Sequence, residues 1–305
     1  MRSLGYFILA GPFQAVLVVS GFALLSFFFP FLVILSGGAL ALIALKIGIR
    51  EALRVLVICV AIVGGISFFL LGGVTAGTLV VWVSVVAVVY LYRHFQSLSI
   101  AMQALTVFGA VVTILAALLY PDMQATWLRN LKGLLAVIEQ GPSFQIMLQN
   151  SALDFDRVQQ HLPKVASLMT GMVVAIYLLT VSITLFFAGW WHGLLDDVRT
   201  FHKEFVRLNL GLALAAFTVA LGVAAWVIKT AIFWQLMIVC LSMFFLQGLG
   251  LAHAMIGQLP KPMFGFVAVY GLMLIAAPQV ILTLASVGVL DGFVNIRKRF
   301  VKSKM

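Results

Sequence analysis

The chain has little charge, and less acid than base. Charged residues make up 9% of its 305 positions, with nine Asp and Glu against 19 Lys and Arg, while 64% of the residues are hydrophobic. A chain this short of polar groups cannot cover itself with polar surface in water, which excludes an ordinary soluble domain and makes the bilayer its solvent. None of the nine acids falls in the middle of an apolar run, which argues against a proton-coupled pump or a carboxylate-lined cation path. Cysteine is nearly absent. Cys59 and Cys240 both lie inside apolar runs, where a thiol behaves as a small hydrophobe, and their spacing fits no metal or redox motif. Catalytic signatures are missing as well: there is no nucleophile elbow, Walker A loop, HExxH, paired intramembrane carboxylates or GxGxxG after a strand. The expectation is a protein that is not an enzyme and uses no cofactor or metal. The net charge of +10 reads as basic loops facing anionic lipid, so membrane lipids are expected partners and nucleic acid is not.

What the chain has is apolar runs of roughly the length a helix needs to span a bilayer, at about 7–29, 31–45, 55–73, 74–92, 99–120, 164–191, 208–228, 232–257 and 263–288. The fold class is therefore all-α, a polytopic transmembrane helical bundle with an amphipathic helical connection. Residues 1–305 are read as one integral membrane domain: a first helical group over 1–120, the connection over 121–163, a second group over 164–290 and a basic tail over 291–305. The first run lacks a small-x-small cleavage site before Pro30 and reads as a retained helix. Pro278 is expected to kink the last run. With nine crossings, the basic residues divide almost equally between the two sides, so the positive-inside rule does not choose an orientation. If one run does not cross, both the Lys46–Arg54 loop and the tail become cytoplasmic, which favours eight crossings over nine.

Four segments carry polar character. In the connection, Trp127, Leu131, Leu134, Leu135 and Ile138 share a helical face, and a second stretch carries Phe155, Val158 and Leu162, so both read as surface helices capping the bundle, with a substrate lid as the alternative. Next, Trp190 and Trp191 are expected to end a helix at headgroup depth, followed by an elbow. That elbow holds the charges Asp196, Asp197, Arg199 and Glu204 beside Phe201 and Phe205, which recur at helical spacing and suit an interface or partner loop. The late spans hold Gln247, Gly248, Gly250, His253 and Gln279. Here the small residues let a second backbone approach while the polar ones offer hydrogen bonds, to another helix or to a substrate. Finally, the tail begins Asp291, Arg297, Lys298, Arg299: an anchor on anionic lipid, with Asp291 capping a short terminal helix.

The Trp190-Trp191 to Phe205 stretch, the Gln247-Gly248 to His253 stretch and the closing Asp291 to Arg299 segment, in that order, resemble the YybS-like family of bacterial membrane proteins. That family is in turn similar to the substrate-binding subunits of energy-coupling-factor transporters. The resemblance implies a compact bundle, a bacterial inner (plasma) membrane location and a small-molecule pocket. The chain departs from such subunits in lacking a clear Ala-x-x-x-Ala docking face in its first helix, and in having more than six spans. The functional expectation is small-molecule substrate binding or transport through a pocket among the late helices. The alternative is a non-transport membrane protein that recruits or regulates a protein partner at the cytoplasmic face through its loops and tail.

Overall fold

In the computed structural model, residues 1–71, 76–140, 155–196 and 200–297 are described, and they form thirteen helices and no strand. In chain order these are α1 (Arg2–Leu9), α2 (Pro12–Leu25), α3 (Leu32–Lys46), α4 (Ile49–Leu71), α5 (Ala76–Phe95), α6 (Leu98–Leu119), α7 (Met123–Glu139), α8 (Phe155–Asp196), α9 (Thr200–Val206), α10 (Gly211–Ile228), α11 (Ala231–Ile256), α12 (Pro262–Ile275) and α13 (Ala277–Val294). Helices α4, α5, α6, α8, α10, α11 and α13 are each long and apolar enough to cross a membrane, while α2, α3 and α12 are apolar but shorter. The protein is an integral, multi-pass membrane protein.

Lipid tails are as apolar as leucine, so burial alone does not hold helices together in a bilayer; close packing and hydrogen bonds do. Small residues accordingly mark the contacts of α8, the axis of the bundle. A Cβ at Gly37 or Gly38 of α3 would lie 2.9 Å from Thr184 or 2.5 Å from Phe187, one at Gly109 of α6 would lie 2.6 Å from Leu178, and one at Gly171 would lie 2.6 Å from the backbone of Gln235 on α11. Helix α3 is buried without interruption from Ser36 to Ala44. Its one polar group there is used twice: the Ser36 hydroxyl donates to Val19 O (2.7 Å) and accepts from Trp82 Nε1 (3.0 Å), tying α2, α3 and α5 together.

Three boundaries differ from the sequence reading. The first apolar run is two helices, broken where Pro12 starts α2. Residues 155–163 are not a separate surface helix but the opening turns of the 42-residue α8, which runs on through Pro163. The proline ring removes one backbone bond, but Gln159, four residues back, is exposed, so water can serve its carbonyl. The last run is not one kinked span: it breaks at Ala276 into α12 and α13, and Pro278 occupies the first turn of α13. In α7, Trp127, Leu128, Leu131 and Leu135 are half-buried, and Trp127 Nε1 donates to Thr170 of α8 (3.0 Å); Leu134 and Ile138, expected on the same face, are exposed.

Hydrogen bonds define one end of the bundle, here called the elbow end. Trp191 Nε1 donates to Met1 O, Arg2 Nε to Leu194 O, Lys46 pairs with Asp196, Tyr92 donates to Glu204, and Arg297 donates to Val206 O. Residues 1 and 297 therefore lie at the same end. The reason is the split of the last run: α12 leaves the elbow end beside Ile256, and α13 returns to it. Of the thirteen basic residues with described side chains, nine (Arg2, Lys46, Arg50, Arg54, Arg93, Lys203, Arg207, Lys261 and Arg297) belong to this end. Arg129, Lys132, Lys164 and Lys229 belong to the other.

Candidate functional site

Helix α11 presents two different faces at the elbow end. One carries Gln247 and two glycines. A Cβ at Gly248 would fall 1.9 Å from Leu284 O, and one at Gly288 of α13 would fall 2.1 Å from Phe244 O, so the backbones of α11 and α13 touch. Only glycine permits this approach, at which Cα–H groups meet carbonyl oxygens directly. Gly250 gives a third contact, to Phe205 O of α9, where a Cβ would lie 2.6 Å away.

This close approach encloses a polar knot. Gln247 is fully buried; its Oε1 accepts from Leu210 N (2.7 Å) and its Nε2 donates to Asp291 Oδ2 (2.9 Å). Arg297 donates from Nε to the same Asp291 oxygen (3.1 Å), from Nη2 to Gln247 O (3.0 Å) and from Nη1 to Val206 O. The chain reverses into this position at Asn295, whose φ of 50° places it in the left-handed region that asparagine tolerates. Burial lowers the basicity of the Arg297 guanidinium and Asp291 opposes that shift; the group stays charged. Asp291 Oδ1 is buried without a hydrogen-bond partner among the described residues. The expectation for the start of the tail is thereby corrected. Asp291 caps no terminal helix but lies fully buried inside α13, and Arg297 folds back into the bundle, because each is the other's partner. Lys298 and Arg299 lie outside the described residues.

The other face of α11, at Leu249, looks onto a cavity of about 630 Å³. Its walls are Phe186, Gly189, Trp190 and Gly193 of α8, Phe201, His202 and Phe205 of α9, Leu249 of α11 and Tyr270 of α12. The aromatic wall is built by mutual contact. Phe186 meets Phe201 edge-on at 6.0 Å and Phe205 at 4.9 Å, and the Phe201 ring lies over Gly189, where a Cβ would come within 2.3 Å of it. His253 borders this wall, 5.6 Å from Phe205. Its Nδ1 is 2.9 Å from Leu249 O, a carbonyl that can only accept, so Nδ1 carries a proton; in that tautomer Nε2 accepts from the Tyr270 hydroxyl at 3.1 Å.

The structure thus brings the Trp190–Phe205 and Gln247–His253 stretches together around one cavity, but it divides their residues. Trp190 lines the cavity and is half-exposed. Trp191 is buried, its ring 5.2 Å from Phe187 and its Nε1 on Met1 O. The pair does not end a helix at headgroup depth, since α8 continues to Asp196. Asp196 pairs with Lys46 and with His192 (3.2 Å), and Glu204 accepts from Tyr92 (2.9 Å). Asp197 and Arg199 lie outside the described residues. Gln279 does not join the group: it is exposed in the first turn of α13, about 18 Å along the helix from Asp291. Phe186, Gly189, Leu249 and Tyr270 escape the sequence reading. Only Tyr270 offers a signal, as a hydroxyl that must find a partner inside an otherwise apolar helix.

Among the described residues, no three His, Cys, Asp or Glu side chains are grouped to hold a metal ion. The arrangement offers instead aromatic surface with a few hydrogen-bonding groups at its edge. No protein-family model, curated protein or solved structure matches this chain.

Proposed function

We propose that this membrane protein binds an amphipathic small molecule in the aromatic cavity at its elbow end, as a non-catalytic substrate-binding or transport component of a bacterial inner membrane. The observation that carries the reading is the cavity itself. At about 630 Å³ it falls within the size range of small-molecule sites, and it combines apolar aromatic walls with a few residues that carry polar groups, His202, Trp190 and Tyr270. A ligand with a flat or branched apolar body and one hydrogen-bonding head fits that chemistry. The concentration of basic residues at the elbow end supports a cytoplasmic opening. The partner-recruiting alternative gains less support, because Phe201, Phe205 and Glu204 are turned into the bundle.

The test is a thermal-shift screen of the purified protein against amphipathic metabolites, repeated on Leu249→Trp, which fills the cavity. At least one compound should stabilise the wild type and not the variant. If no compound discriminates between the two proteins, the cavity is not a binding site.

A further inference from the structure

A second depression lies on the other flank of the elbow end, among helices that take no part in the aromatic cavity. A groove of about 580 Å³ runs between the Ile47–Gly48–Ile49–Arg50 turn and the last turns of α5, where Tyr90, Arg93 and His94 stand. Beneath it is an apolar cleft of about 200 Å³ lined by Ile8, Pro12, Ala15, Ile43 and Val55, and beyond that a furrow of about 620 Å³ along α4 past Leu53, Val57 and Ile58. These adjoin one another: Ile47 and Glu51 border both groove and cleft, and Pro12, Glu51 and Val55 border both cleft and furrow. We propose that this depression binds one anionic phospholipid of the surrounding membrane, its phosphate on Arg50, Arg93 and His94 and an acyl chain in the cleft and furrow.

Local structure explains why the cationic and apolar parts adjoin. Gly48, at φ +145°, turns the chain from α3 into α4 within two residues, and the space a Cβ would take there is bounded by Arg93 Nη1 at 3.8 Å. Arg93 is held at the rim because its Nη1 donates to Ala44 O at the end of α3, and Tyr90 stacks on His94 at 6.0 Å. Opening of the cleft follows from the break between α1 and α2 at Pro12. One carboxylate faces the site, but Arg54 Nη1 lies 2.6 Å from Glu51 Oε1, so Arg50 and Arg93 leave the groove positive. The elbow end also carries most of the described basic residues, as a surface against anionic lipid does. A free phosphate would have no use for the apolar cleft. An acyl chain would fill it.

The experiment is native mass spectrometry of the full chain, stripped of lipid in detergent and titrated with phosphatidylglycerol, phosphatidylcholine or inorganic phosphate. Phosphatidylglycerol should occupy one site about tenfold more tightly than phosphatidylcholine, and Arg50→Gln should weaken it about fivefold, the loss expected for one cation beside an anionic lipid. Arg50 is exposed, so Arg50→Gln should fold with an unchanged melting temperature. His94→Gln gives a second reading on the same rim. Equal binding of the two lipids, or unchanged phosphatidylglycerol affinity in both variants, would overturn the proposal. Inorganic phosphate binding as tightly as the lipid would also overturn it, by making the groove a soluble-anion site.

Discussion

Two sides of one helix turn differ in what they do with the same few residues. On the α13 side of α11, Gln247, Asp291 and Arg297 bond to one another, with Asp291 Oδ1 left without a partner among the described residues, and the glycines bring backbones into contact. On the α9 side, Leu249 faces aromatic rings across a cavity of about 630 Å³. A polar residue whose hydrogen bonds are taken up by neighbouring helices, as those of Gln247 are, serves packing. Gln247 looks like the better binding residue in sequence, yet it acts as a bolt. Leu249, two residues on, faces the cavity.

The comparison can be broken at its rigid side first. Asp291→Ala leaves Arg297 buried without its carboxylate and should cost about 3–5 kcal/mol of stability, the usual cost of removing one partner of a buried ion pair. Thermal unfolding in detergent reads this, and a loss under 1 kcal/mol would mean the knot is not tight. Gly248→Val drives a side chain into Leu284 O and should cost at least about 1–3 kcal/mol as overpacking, seen in the same assay. On the open side, Leu249→Trp should leave the melting temperature within a degree or two and abolish ligand-induced stabilisation. The smallest effect belongs to the hydrogen bond that ties α12 to α11. Tyr270→Phe removes the donor to His253 and should cost about 0.5–1.5 kcal/mol, with the ligand response altered more than the stability.

Much of this architecture was legible in the sequence, because a bilayer leaves helices as the natural solution for long apolar runs. The helical spacing of Phe201 and Phe205 matches α9, and Gly248 and Gly250 announced close backbone approach. Partners distant in sequence were not legible. Gln247 meets Asp291 44 residues later, and nothing local to Asp291 distinguishes a buried carboxylate from the first residue of a basic tail. Helix breaks were misread for a related reason. Pro163 lies inside α8 and Pro278 inside the first turn of α13, so proline placed neither boundary where pattern alone suggests. The cavity's position was hard to read because most of its walls are phenylalanine, leucine and glycine, residues a membrane protein has everywhere.

The central claim is that the knot is structural and the cavity binds, and one paired measurement tests it: the shift in melting temperature caused by the strongest stabiliser from the metabolite screen, recorded on Gln247→Leu and Leu249→Trp side by side. The account predicts that Gln247→Leu melts lower than wild type but keeps the full ligand-induced shift, while Leu249→Trp melts close to wild type and loses it. A folded Gln247→Leu protein that no longer responds to the compound, beside a Leu249→Trp protein that still does, would contradict it.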